Sequence, residues 1–99
     1  MISNMHYLGI YEDAINDAVE SSENLLKLLD FNDNDIDLLN YYAKEYLAEN
    51  GNFNDITNSI IYAYFTTAKA YVESKYPNAA VTFYVNCHDS YLYLDGVEV

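Results

Sequence analysis

The amino-acid sequence predicts an α+β fold in which three helices pack on a small antiparallel β-sheet, forming one compact acidic domain over residues 1–99. Three observations carry this reading. Apolar residues recur at helical spacing in three segments between Tyr11 and Tyr76. After Pro77-Asn78 the apolar period falls to two, the signature of a half-buried strand. A chain of 99 residues fills a single core and rarely divides further.

The first helix is expected from Tyr11 to Leu29. Tyr11, Ala14, Ile15, Ala18, Val19, Leu25, Leu26 and Leu29 form its apolar stripe, and Ser22 continues it in small-residue form. Asp13, Asn16, Asp17, Glu20, Glu23 and Asn24 occupy the opposite face. Residues 30–37 lack a helix-period apolar pattern and read as a polar connector. Within it, Asn34 is the expected N-cap of the second helix, with Asp37 three positions on in an acidic variant of the capping box. Ile36, Leu39, Tyr42, Ala43, Tyr46 and Leu47 form the stripe of that helix, and Asn50-Gly51 is expected to stop it in the left-handed conformation. Asn54 is the expected N-cap of a third helix running from Asp55 to about Tyr76, where Pro77 closes it. That helix has two stripes, Ile56, Ile60, Ala63, Tyr64, Thr67 and Tyr71 on one side and Ile61, Phe65, Ala68, Val72 and Tyr76 on another. A helix apolar on two sides is expected at the centre of the fold.

Val81, Phe83 and Val85 alternate with polar or aromatic neighbours, as do Ser90, Leu92 and Leu94. Pairing Val85 with Ser90 sets Phe83 opposite Leu92 and Val81 opposite Leu94 on an inward face, leaving Tyr84, Tyr91 and Tyr93 outside. Asp95-Gly96 is a hairpin signal, so Val97–Val99 can extend the pair to a meander. His6–Ile10 is either an N-terminal edge strand or an irregular lead-in.

Charge narrows the function classes. Sixteen Asp and Glu stand against four Lys and no Arg, a formal charge of −12. Nucleic acid and anionic membrane would repel such a chain. The missing Arg also removes the bidentate grip on phosphate and carboxylate groups. Asn and Tyr occur twelve times each, as AT-rich coding would produce, but Lys, equally AT-rich in its codons, does not follow. The negative charge is therefore maintained. One Cys allows no internal disulfide, Met1–Tyr11 has no signal-peptide pattern, and no apolar run approaches the roughly 18 residues of a membrane span. The expected location is the cytoplasm.

Motifs with catalytic or metal-binding potential are weak. Asp30–Tyr41 opens like a calcium loop, but Asp35 stands where the loop needs Gly and Tyr41 where it needs a bidentate Glu. Starting instead at Asp33 fails in the same way, with Leu38 and Lys44 at those positions. Cys87-His88-Asp89 places a thiol, an imidazole and a carboxylate together, yet sequence neighbours in extended chain point apart. Adding His6 creates no zinc-ligand spacing. With three Gly, no phosphate loop and no nucleophile elbow, the chain is expected to be a non-enzyme without cofactor or metal.

Tyr42, Tyr46, Tyr64 and Tyr71 are assigned to core stripes, whereas Tyr41, Tyr62, Tyr84, Tyr91 and Tyr93 fall on outer faces. Exposed rings of this kind suit protein interfaces, although cross-strand pairing also accounts for the last three. Among the acids, Glu12, Asp13, Asp35 and Asp37 lie in first helical turns where the helix dipole favours them, and Glu23 can pair with Lys27. Asp17, Glu20 and Asp30 lack such reasons. Residues 12–37 hold nine acids and one Lys, −8 of the −12. Along the first helix, five carboxylates in twelve residues give one charge per roughly 3.6 Å of axis. A DNA strand carries one phosphate per about 3.4 Å.

In size, charge and acidic helical face the chain resembles anti-restriction and anti-CRISPR proteins. The resemblance implies a phage or mobile-element DNA mimic that binds the basic nucleic-acid surface of a Cas effector or restriction enzyme. The expected partner-binding residues are Asp13, Asp17, Glu20, Glu23, Asp30, Asp33, Asp35, Asp37 and Tyr41. Two other readings stand beside it: an immunity or antitoxin protein against a nuclease toxin, and an acidic divalent-cation-binding or structural interaction protein.

Overall fold

The computed structural model describes residues 11–86 and 90–96, without the side chains of residues 11–13. In chain order the elements are α1 (Tyr11–Leu28), α2 (Asp33–Asn50), α3 (Ile56–Lys75), β1 (Ala80–Tyr84) and β2 (Tyr91–Asp95), with a 3-10 turn at Phe53–Asp55 leading into α3. The fold is α+β, with three helices on a two-stranded antiparallel sheet. The readings for His6–Ile10, for Cys87-His88-Asp89 and for Val97–Val99 lie outside the described residues.

α3 is the central helix, as its two stripes require. It packs against α1, α2 and β1, burying Ile61, Ala63, Tyr64, Phe65, Thr67, Ala68 and Val72. Ile60, Ala63 and Tyr64 border a pocket of about 200 Å³ together with Ile15 and Val19 of α1 and Ala43 and Leu47 of α2. On the other stripe, the Phe65 ring lies 5.6 Å from that of Phe83 in β1. Ile56 departs from expectation. It is exposed because the chain enters α3 through the exposed 3-10 turn, ahead of the packed part of the helix.

The start of α2 also differs from the expected one, since Asn32 rather than Asn34 is the N-cap. Its Oδ1 accepts the Asp35 N–H at 2.9 Å. The cause lies at the end of α1. Asp30 adopts a left-handed φ of 69°, the Phe31 N–H reaches Leu26 O at 3.0 Å, and the Asp30 N–H reaches Lys27 O at 3.2 Å. This pair of bonds is a Schellman motif, which reverses the chain within two residues and leaves room only for an immediate restart. The polar connector thus shrinks to residues 29–32. At the other end of α2, Gly51 is extended (φ −69°, ψ 145°), not left-handed. Glycine is needed there because a Cβ would lie 2.6 Å from Leu47 O. Asn52 replaces Asn54 as the cap of the next segment, its Oδ1 accepting the Asn54 N–H at 3.0 Å.

The strand register is the expected one, with Val81 opposite Leu94 and Phe83 opposite Leu92. Val81, Leu92 and Leu94 are buried, Tyr84 and Tyr93 are exposed, and the Tyr84 and Tyr91 rings stack at 5.8 Å. At Val81 the edge of β1 away from β2 is covered by an ion pair on α3. Lys69 Nζ donates to Val81 O at 2.8 Å, Glu73 Oε2 accepts the Val81 N–H at 3.1 Å, and the two side chains meet at 2.7 Å. The pair imitates one rung of a neighbouring strand, which blunts an edge otherwise open to pairing. The Lys69 hydrogen bond, then the Val81 N–H, holds the Glu73 carboxyl below its ordinary value.

A second polar chain joins all three helices. The Tyr64 hydroxyl donates to Asn40 Oδ1 at 2.6 Å, and Asn40 Nδ2 donates to Glu23 Oε2 at 2.8 Å and to Ile36 O at 3.0 Å. Burial, then the Glu23 charge, pushes the Tyr64 phenol pKa up.

Two stability outcomes are expected. Replacing Asn40 with Ala strands the buried Tyr64 hydroxyl and should cost about 1–3 kcal/mol in urea unfolding, against about 1 kcal/mol for Tyr64→Phe. Because the Glu73 pKa is lowered by folding, its contribution is present above the ordinary glutamate value near 4.5 and is lost as pH falls through the folded value. Stability measured from pH 7 to pH 3 should therefore fall less steeply in Glu73→Gln than in the parent protein.

A candidate acidic face and a tyrosine groove

At about 100° per residue, Glu20, Asn24 and Lys27 share the side of α1 opposite buried Ala18 and Leu25. On α2, Asp33, Asp37, Tyr41 and Lys44 turn away from the buried Ile36, Leu39 and Ala43 stripe. The tight α1–α2 turn brings Asp30, Asp33 and Asp37 to one end of the helical hairpin, while Glu20 lies midway along α1. Glu20, Asp30, Asp33 and Asp37 are all exposed.

The other expected acids are placed differently. Asp17 is half-buried and already engaged by a neighbour. Glu23 turns into the α1–α2 seam to meet Asn40 rather than pairing with Lys27, because Asn40 offers a fixed donor across the seam. Asp35 lies on the α3 side of α2, where its charge, after burial and Tyr42, raises the Tyr71 pKa. The side chain of Asp13 lies outside the described set. Glu20 is therefore the one exposed acid among the described side chains of α1, and the row of one charge per 3.6 Å does not persist as a single unbroken line. Lys27 and Lys44 are exposed on the outward sides of the same two helices. The display is acidic with cations set into it.

Asp30 has a backbone reason for its place. Asp tolerates the left-handed region better than most residues, and here it ends α1. Its position at a helix C-terminus is offset by Lys75, whose Nζ donates to Leu29 O at 3.2 Å and Asp30 O at 3.1 Å while lying 4.5 Å from the Phe31 ring centre. The Tyr76 hydroxyl adds a 2.9 Å bond to Leu29 O. With Lys69 held on β1, two of the four lysines are committed to internal contacts.

Tyr41 is exposed, as expected, and a hydrogen bond to Glu45 raises its phenol pKa. Tyr42, expected in the core, is also exposed. It lies about 90° from the centre of the Ile36–Leu39–Ala43 stripe, outside the strip that α1 and α3 cover. Its ring, with those of Tyr46 and Tyr71, borders a groove of about 410 Å³ between α2 and α3, completed by Thr66, Thr67, Ala70 and Ser74. The groove was missed by sequence reasoning. The available signal was the spacing of Asp35, Tyr42 and Glu49 at intervals of seven, which puts them on one flank of α2.

Asp33 and Asp35 lie on opposite sides of the first turn of α2, an arrangement that separates carboxylates instead of converging them. Among the described residues no group of three or more His, Cys, Asp or Glu could hold a metal ion, and no helix is long and apolar enough to cross a membrane. No family model, curated protein or solved structure matches the chain.

Asp30 separates backbone from charge. Asp30→Gly relieves the left-handed φ and should leave stability unchanged or raise it by up to about 1 kcal/mol, whereas Asp30→Val should lower it by about 1–2 kcal/mol. Chemical denaturation of the two variants checks this.

Proposed function

We propose that this protein is a non-enzymatic inhibitor that docks its acidic face onto the basic nucleic-acid-binding surface of a partner protein. In its sharpest form it is a DNA mimic of a phage or mobile element, acting in the cytoplasm on a restriction or CRISPR nuclease. The observation that carries the reading is the exposed set Asp30, Asp33 and Asp37 at the turn end of the α1–α2 hairpin, with exposed Glu20 midway along α1 and with Lys69 and Lys75 turned to internal contacts.

The physics favours such a docking surface. Helices hold carboxylates on rigid axes, so less side-chain order is lost on binding than a mobile acidic tail would lose. A basic groove built for phosphates gains the same steering and counterion release from these carboxylates as from DNA. Lys27 and Lys44, set among the acids, supply register: a partner must offer acids or gaps where they fall. Tyr41, half of whose surface is exposed at 55%, provides an aromatic contact next to the charge. The splayed carboxylates of the first turn of α2 favour this reading over cation binding.

The test is competition. A captured partner should bind DNA, lose that binding stoichiometrically on adding this protein, and release this protein as salt is raised. Glu20→Lys combined with Asp37→Lys should weaken capture by at least about tenfold, given interfacial charge couplings of about 1.5 kcal/mol or more. Undiminished binding by that double variant, or a partner indifferent to DNA, would sink the proposal.

A further inference from the structure

We infer that the groove between α2 and α3 is an anchor site for an arginine side chain of the basic partner, its guanidinium lying among the rings of Tyr42, Tyr46 and Tyr71. The inference deepens the inhibitor reading and rests on it.

The shape comes first. Tyr42, Tyr46 and Tyr71 stand around a groove whose remaining wall is Thr66, Thr67, Ala70 and Ser74. Four small side chains in succession on the facing side of α3 leave the space that the three rings border. The volume, about 410 Å³, exceeds the needs of one long side chain.

Charge complementarity selects the occupant. By helical spacing Asp35 and Glu49 fall on the same flank of α2 as the groove-lining Tyr42, two turns to either side of it. Asp35 is close enough for its charge to be felt at the Tyr71 phenol. None of the groove-lining residues carries a positive charge, and the nearby Lys75 ammonium is already seated on the Leu29 and Asp30 carbonyls. The π-faces of the tyrosines attract a cation, and the surrounding acids add to that attraction. A leucine or phenylalanine would shield the phenol hydroxyls and carboxylates from water without replacing their hydrogen bonds. Arginine suits the site better than lysine. Its planar, weakly hydrated guanidinium stacks on a ring while its edge donates to carboxylates, which a compact ammonium cannot do at once. The chain itself already places one cation over a ring, Lys75 on Phe31 at 4.5 Å.

The experiment is an NMR titration of the intact 99-residue protein with N-acetyl-arginine amide, with N-acetyl-leucine amide and N-acetyl-glutamine amide as controls. The arginine amide should shift the Thr66, Ala70 and Ser74 amide signals and the Tyr42 and Tyr71 ring signals saturably, and the controls should not. Tyr42→Ala, at an exposed position, should weaken this binding about two- to fivefold, as expected for a cation–π contact near the surface. Asp35→Asn with Glu49→Gln should weaken it further with the helical spectrum unchanged. Equal saturation by the leucine amide, or arginine-induced shifts confined to the Glu20 and Asp37 surface, would overturn the assignment. The two proposals fail separately. Full partner capture by Tyr42→Ala overturns the anchor alone, whereas full capture by Glu20→Lys with Asp37→Lys overturns the inhibitor reading.

Discussion

The structure depends on burying α3 on two sides. A chain of this length can make only one core, and α3 packs against α1, α2 and β1, while α1 also reaches β2. One stripe, through Ile60, Ala63 and Tyr64, receives the α1–α2 hairpin; the other, through Phe65, receives β1. The faces of α1 and α2 that remain outside are those that carry the acids. The position of the charge is therefore a consequence of which residues of α3 are apolar.

Polar interactions refine the packing that burial begins. The Tyr64–Asn40–Glu23 chain links one side chain from each helix, so it can form only when all three are in register. It also withdraws Glu23 from the surface. The Lys69–Glu73 pair performs a comparable service for the sheet, satisfying the Val81 N–H and C=O where, among the described residues, no third strand pairs. Lys75 and Tyr76 complete the set by capping the carbonyl end of α1. A protein with four lysines thus spends two on its own architecture, which deepens the negative field of the remaining surface.

Much of this was legible in the residues, and the misses share a cause. Three helices, a C-terminal hairpin and the pairing of Phe83 with Leu92 followed from period alone, since a one-residue slip would have turned Val81 and Leu94 to solvent. The caps at Asn32 and Asn52 were misplaced by two residues because several Asn and Asp residues in each segment have the right chemistry. Only the Schellman turn at Asp30 decides between Asn32 and Asn34. Tyr42 was assigned to the core because a helical stripe can be read broadly, whereas the strip actually covered depends on where α1 and α3 sit.

The candidate face follows the same division. The sequence by itself determined that the chain is acidic, that residues 12–37 hold most of the charge, and that twelve tyrosines must lie partly at the surface. These are matters of composition and local spacing, which tertiary contacts do not alter. Tertiary structure decided which carboxylates remain outside: Glu20, Asp30, Asp33 and Asp37 do, Glu23 is drawn into a seam, and Asp35 is turned toward Tyr71. It also created the tyrosine groove from residues about 25 positions apart on two helices. Such a groove exists only once two helices are docked, because helical spacing orders residues along one element and says nothing of what stands across from them.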